Sequence, residues 1–141
     1  MERAEETPKA PLRRALIVDD DAAIRILVSR ILQRHRFSVD AVPDGAEAIE
    51  KLLQHTYDVI VLDLMMPRID GEGVIKYLVE HQPQSLPNVI VVTAFGSRAL
   101  QKVCPPVVRF LEKPFDIERL LTEAEGCAGG QPPDVPADAL P

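Results

Sequence analysis

Four short apolar runs constrain this chain more than anything else in it: "ALIV" at 15–18, "DVIVL" at 58–62, "NVIVV" at 88–92 and "VVRFL" at 107–111. They are rich in Val and Ile, and most do not alternate with polar residues. A strand with one wet face alternates, whereas a strand covered on both faces does not. "FSVDAV" at 37–42 does alternate and reads as a strand nearer an edge.

Amphipathic helical patterns separate the runs. Ile24, Leu27, Val28, Ile31 and Leu32 share one face, with Arg25, Arg30 and Arg34 opposite. "DGAEAIEKLL" opens with Asp44 as the expected N-cap and Glu47 three residues on, close to a capping box; Ala46, Ile49, Leu52 and Leu53 follow. "GEGVIKYLVEH" carries Val74, Ile75, Leu78 and Val79, and "FDIERLLTEA" carries Ile117, Leu120, Leu121 and Ala124 behind Asp116. A short helix near "GSRALQKV" must stop at Pro105-Pro106, because proline restricts its predecessor and cannot continue the ladder. Strand and helix thus alternate five times. That order predicts an α/β fold, a parallel sheet with helices on both faces. In such open sheets the binding crevice lies at the carboxyl ends of the strands.

The length of 141 residues suits one domain. Residues 1–12 read as a flexible leader, 13–125 as the folded domain, and 126–141, rich in Gly, Pro and Ala without a hydrophobic period, as a disordered tail. A net charge of −6 argues against a nucleic-acid or membrane partner, and no apolar run approaches the length of a span. Cys104 and Cys127 have no metal-type spacing and read as one semi-buried thiol and one tail thiol, which suits a reduced, cytoplasmic setting. His35, His55 and His81 are scattered; His35 and His81 fall near helix ends, where a cation is favourable.

The chemistry collects where the strands end. The first runs into Asp19-Asp20, the third into Asp63, the fourth into Thr93-Ala94 and the fifth into Lys113-Pro114. Each has an ordinary reading alone. An aspartate after an apolar run is commonly a turn residue, Asp21 suits a helix N-cap, Thr satisfies itself locally, and Lys is solvated. A parallel sheet, however, brings all four termini to one edge, and the groups are chemically complementary. Clustered carboxylates raise one another's pKa unless a cation offsets the repulsion. Mg²⁺ is the natural one, a hard cation that takes carboxylate and carbonyl oxygens and bridges to phosphate. One carboxylate can then act as a nucleophile and form an aspartyl phosphate, with a lysine and a hydroxyl stabilising the phosphoryl oxygens.

With "LIVDDD", "VIVLDLMMPRIDG", "VIVVTA" and "FLEKPF" in this order, the chain resembles the receiver domain of bacterial two-component response regulators over about residues 13–125. The resemblance implies a flavodoxin-like (βα)5 fold with strand order 2-1-3-4-5. It implies Asp63 as phosphoacceptor, in a Mg²⁺-dependent reaction with a phosphohistidine of a sensor kinase or histidine phosphotransfer protein. Asp20 would bind the metal directly, Asp19 mainly through water, and the Met65 backbone carbonyl would complete the protein ligands. Thr93 and Lys113 would hold the phosphoryl group, Thr93 and Phe110 would form the conformational switch, and Lys113-Pro114 would be cis. The first helix, which starts at the pocket and exposes Arg25, would meet the donor. Such a domain is a signalling module rather than an enzyme with a separate substrate; it would act as a monomer or weak homodimer on a downstream protein, either as a stand-alone receiver, which Met1 and the short tail favour, or as part of a longer protein.

The sequence departs from the family pattern in places. The stretch from Thr93 to Lys113 is short and holds Pro105-Pro106, which should reshape the usual output face, and Phe110 lacks the hydroxyl of the tyrosine often found there. Met65 and Phe95 flank the site and are expected to impede the hydrolytic water and lengthen the phosphoryl lifetime. Among alternatives, a haloacid-dehalogenase-type phosphatase would need an aspartate where Met65 stands, and a flavodoxin-like nucleotide binder would need a glycine-rich loop after the first strand. A histidine kinase would need a kinase domain around its histidines. The remaining alternative is a pseudo-receiver, an interaction module that is never phosphorylated.

Overall fold

The computed structural model describes residues 12–64, 71–93 and 109–129. The strands are β1 (Arg13–Val18), β2 (Phe37–Val42), β3 (Val59–Asp63), β4 (Val89–Thr93) and β5 (Arg109–Glu112). They form one parallel sheet in the order β2-β1-β3-β4-β5. The described helices are α1 (Ala22–Arg34), α2 (Gly45–Gln54), α3 (Gly71–His81) and α4 (Ile117–Gly129), with a 3₁₀ helix over Pro83–Asn88. The short helix expected near residues 96–103, with Phe95, Cys104 and Pro105-Pro106, lies outside the described residues, as do residues 1–11, Met65 and residues 130–141.

The unbroken apolar runs are explained by the two cores they feed. Leu16, Val18, Ile60, Leu62, Val89 and Val91 point to one face, where Ala48 and Leu52 of α2 and Val74, Ile75 and Leu78 of α3 cover them. Their neighbours Ala15, Ile17, Val59, Val61, Ile90 and Val92 point to the other, under Val28 and Leu32 of α1 and Leu120 and Ala124 of α4. The period of two is present but both phases are apolar.

The helix N-termini follow the sequence. Asp21 accepts from Ala23 N and Ile24 N at 2.9 and 3.3 Å, Asp44 accepts from Glu47 N at 2.9 Å, and Asp116 accepts from Glu118 N at 2.9 Å. The apolar stripes are narrower than expected. Leu27, Leu53, Val79 and Ile117 lie at stripe edges and are exposed, because a helix lying on a sheet buries only the central part of its apolar face. Arg36 takes a left-handed φ of 70° just after α1, a position that favours glycine.

Residue 125, where the domain is expected to end, lies inside α4. α4 runs on to Gly129, with Gly126 and Cys127 buried. The cause is a buried ion pair: Arg109 Nη1 of β5 donates to Glu123 Oε1 of α4 at 3.0 Å, both side chains being almost wholly inaccessible. A Cβ on Gly126 would lie 2.8 Å from that Arg109 nitrogen, so glycine lets the helix close over the guanidinium. Cys127 is thus a core thiol and not a tail thiol, and burial pushes its pKa up from 9.0 to about 11.

Candidate functional site

Register alone brings the first two carboxylates together. Val18 pairs with Leu62, so Asp19 and Asp63 lie at neighbouring strand ends, separated by roughly the interstrand spacing of about 4.8 Å. Asp19 N is held by the Val42 carbonyl at 3.2 Å, and Leu64 N by the Val92 carbonyl at 3.0 Å, so both strand ends are fixed just past the ladder. Oxygens of Asp19, Asp20 and Asp63 all lie within 4.8 Å of one another. Asp19 and Asp63 are buried, and Asp20 is exposed.

Lys113 enters from β5. Its backbone N–H donates to the Thr93 carbonyl at 2.7 Å, which carries the strand pairing one step past Thr93 and Glu112. From there Nζ reaches Asp19 Oδ2 at 3.2 Å and Asp63 Oδ2 at 3.3 Å. Burial disfavours the ammonium, but the carboxylates of Asp63 and Asp19 outweigh that and hold its pKa above the ordinary value. Lys113-Pro114 is cis, as expected. Thr93 is buried at the last position of β4. Phe110 packs, half-buried, against the α2–α3 side of the sheet.

Asp19, Asp20 and Asp21 divide their work. Asp19 Oδ1 accepts from Asp21 N at 2.9 Å, its other oxygen meets Lys113, and Asp21 caps α1. Asp20 is left with a carboxylate that bonds no other described residue. This donor set of hard oxygens fits a divalent cation of the Mg²⁺ class. Met65, whose carbonyl was expected to join it, lies outside the described residues.

The structure corrects one expectation and adds three residues. Arg25 is half-buried and does not project freely from α1; its Nη1 donates to the Asp19 carbonyl at 2.7 Å. The large apolar side chains that α1 exposes are Ile26 and Leu27. In the sequence Gly71 marks only the start of a helix. A Cβ there would lie 2.6 Å from both the Asp63 carbonyl oxygen and Leu64 Cα, so α3 can start against the end of β3 only because residue 71 is glycine. The "DG" at 70–71 was the available signal, but it cannot say what approaches. Arg109 and Glu123 are the other two, since sequence gives no sign that an Arg and a Glu 14 residues apart are both buried.

Residues 15–125 match the response regulator receiver domain family, and the chain belongs to it. It is a signalling module whose acidic pocket, Asp19, Asp20 and Asp63, suits phosphorylation of an aspartate. Among curated relatives, response regulator MprA of Mycobacterium sp. (strain KMS) is 34% identical over 128 residues, covering 89% of this chain and 55% of the relative. Response regulator ArlR of Staphylococcus aureus is 35% identical over 120 residues, covering 83% and 53%. The chain therefore spans about half the length of the curated relatives it matches. Among solved structures, the chemotaxis response regulator CheY4 of Vibrio cholerae aligns with a TM-score of 0.73 at 31% identity, covering 82% of this chain and 98% of that one. Response regulator TrrA of Thermotoga maritima, solved in complex with Mg²⁺-BeF, aligns with a TM-score of 0.70 at 25% identity, covering 82% and 99%. Among the described residues, no helix is long and apolar enough to cross a membrane.

Proposed function

We propose that Asp63 accepts a phosphoryl group from a phosphohistidine of a sensor kinase or histidine phosphotransfer protein. The observation that carries this reading is one buried carboxylate, Asp63, placed between two further carboxylates and an ammonium. An Asp63 oxygen attacks phosphorus; the P–O bond forms as the P–N bond to the donor imidazole breaks, and the imidazole leaves with the electron pair and takes up a proton. Lys113, already bonded to Asp63, balances charge on the phosphoryl oxygens, and the Thr93 hydroxyl donates to one of them. Asp19, Asp20 and Asp63 would hold a divalent cation, which would supply the remaining charge neutralisation. The exposed carboxylate of Asp20 suits direct coordination, and the buried, doubly bonded carboxylate of Asp19 suits contact through water.

Donor docking falls to the pocket end of α1, where Ile26 and Leu27 offer an apolar surface in place of the expected Arg25. Output is a population shift in which phosphoryl contacts draw Thr93 and let the Phe110 ring turn inward, altering the surface met by a downstream protein.

Incubating the full chain with acetyl phosphate tests the reading. We expect a mass gain of one phosphoryl group that requires Mg²⁺ and disappears in Asp63→Asn. A wild-type chain that stays unmodified with Mg²⁺ present would instead be a pseudo-receiver.

A further inference from the structure

We infer that Arg25 is a positioning residue for the cation site, acting on Asp20 through the backbone of Asp19. The inference rests on the reading that Asp19, Asp20 and Asp63 hold a divalent cation.

Asp20 is the exposed member of the triad, and no hydrogen bond ties its carboxylate to another described residue. Its direction must be set by the backbone on either side. On the C-terminal side, Asp21 is fixed: its N–H meets Asp19 Oδ1, its carboxylate caps α1, and its carbonyl accepts from Arg25 N at 3.0 Å. On the N-terminal side lies the Asp19–Asp20 peptide. The Asp19 carbonyl oxygen belongs to that rigid plane, so fixing the oxygen fixes the rotation of the plane and, with the Asp21 side also held, the direction in which the Asp20 Cα–Cβ bond leaves the backbone. The group that fixes it is the Arg25 guanidinium at 2.7 Å, a charge-assisted bond. Arg25 thus closes a small ring through Asp21 and Asp19 that contains Asp20.

Sign separates this role from simple electrostatics. Arg25 is cationic and lies beside the site. If it acted only through its charge, removing it would tighten binding of another cation. If it orients Asp20, removing it weakens binding despite that Coulomb gain. Residues that orient ligands in this indirect way typically change metal affinity about 10–100-fold when lost.

The test is Mn²⁺ binding to the full chain, read as free Mn²⁺ by electron paramagnetic resonance, with Mg²⁺ as competitor. Arg25→Met keeps the aliphatic stem and removes the donor; it should weaken Mn²⁺ binding about tenfold. Arg25→Lys keeps a donor and the charge and should recover most of the loss. In an Asp20→Asn background, Arg25→Met should weaken binding no further, because the group it orients is gone. Circular dichroism of each variant confirms that the fold is retained. Unchanged or tighter binding in Arg25→Met overturns the inference while leaving the cation site standing, as does an equal loss in the Asp20→Asn background. Wild-type protein that binds no Mn²⁺ overturns the site and the inference together.

Discussion

Replacing Lys113 by Met should destabilise the protein in a way that a divalent cation repairs. Nζ lies 3.2 Å from Asp19 Oδ2 and 3.3 Å from Asp63 Oδ2. At an effective dielectric constant of about 20, each contact is worth about 5 kcal/mol of gross Coulomb attraction. Against it stands carboxylate repulsion, about 3.5 kcal/mol or more per pair, since the three oxygens lie within 4.8 Å of one another. Desolvation cancels much of the attraction. Removing one partner of a fully buried pair costs about 3–5 kcal/mol, and the Lys113 side chain, 20% exposed, falls below that range, at about 2–3 kcal/mol. The assay is urea unfolding at neutral pH and low ionic strength with a chelator, where a loss of this size lowers the midpoint by about 1 M. Saturating Mg²⁺ should narrow the gap between variant and wild type, because the variant's pocket carries one more net negative charge and gains more from a cation. Asp20→Asn removes a carboxylate that Lys113 does not contact, and should raise the midpoint. Equal midpoints for Lys113→Met and wild type, or a gap that Mg²⁺ does not change, would refute the view that this ammonium holds the carboxylates together.

Further outcomes follow from the same geometry. Glu123→Ala should cost about 3–5 kcal/mol in urea unfolding by leaving Arg109 buried without its carboxylate, while Arg109→Met with Glu123→Leu should recover most of it; a single variant of wild-type stability would refute this. Gly71→Ala should destabilise the protein and slow phosphorylation from acetyl phosphate together, because the new methyl meets backbone at 2.6 Å on either side of the Asp63–Leu64 peptide; a wild-type rate would count against it. Cys127, its pKa near 11, should resist iodoacetamide at pH 8 in the native state, read by peptide mapping. The folded thiol keeps a proton that the unfolded chain releases, so this group's contribution is full below pH 9.0 and is lost as pH rises toward 11. Asp21→Ala should cost about 1 kcal/mol as a lost cap, and Asp21→Asn should change little, whereas Asp20→Asn should abolish Mg²⁺-dependent phosphorylation.

The local pattern of this chain determined its elements and the chemistry at their ends. Val- and Ile-rich runs without alternation can be satisfied only by cover on both faces, and amphipathic stretches between them supply that cover. Asp21, Asp44 and Asp116 act within a few residues of themselves, so their capping roles were legible too. The convergence of Asp19, Asp63 and Lys113 followed from the parallel order, because every strand of such a sheet ends at the same edge. What tertiary structure decided are contacts between residues whose neighbours in the chain give no hint of them. Arg109 and Glu123 look like surface charges until β5 and α4 close over them. Gly126 and Cys127 look like the start of a tail until that pair draws the last helical turn onto the sheet. Arg25 looks like a solvated helix charge until the turn before it presents a carbonyl at 2.7 Å. A periodic pattern states which face is apolar. Which charged side chain finds a partner depends on distances that only the folded chain sets.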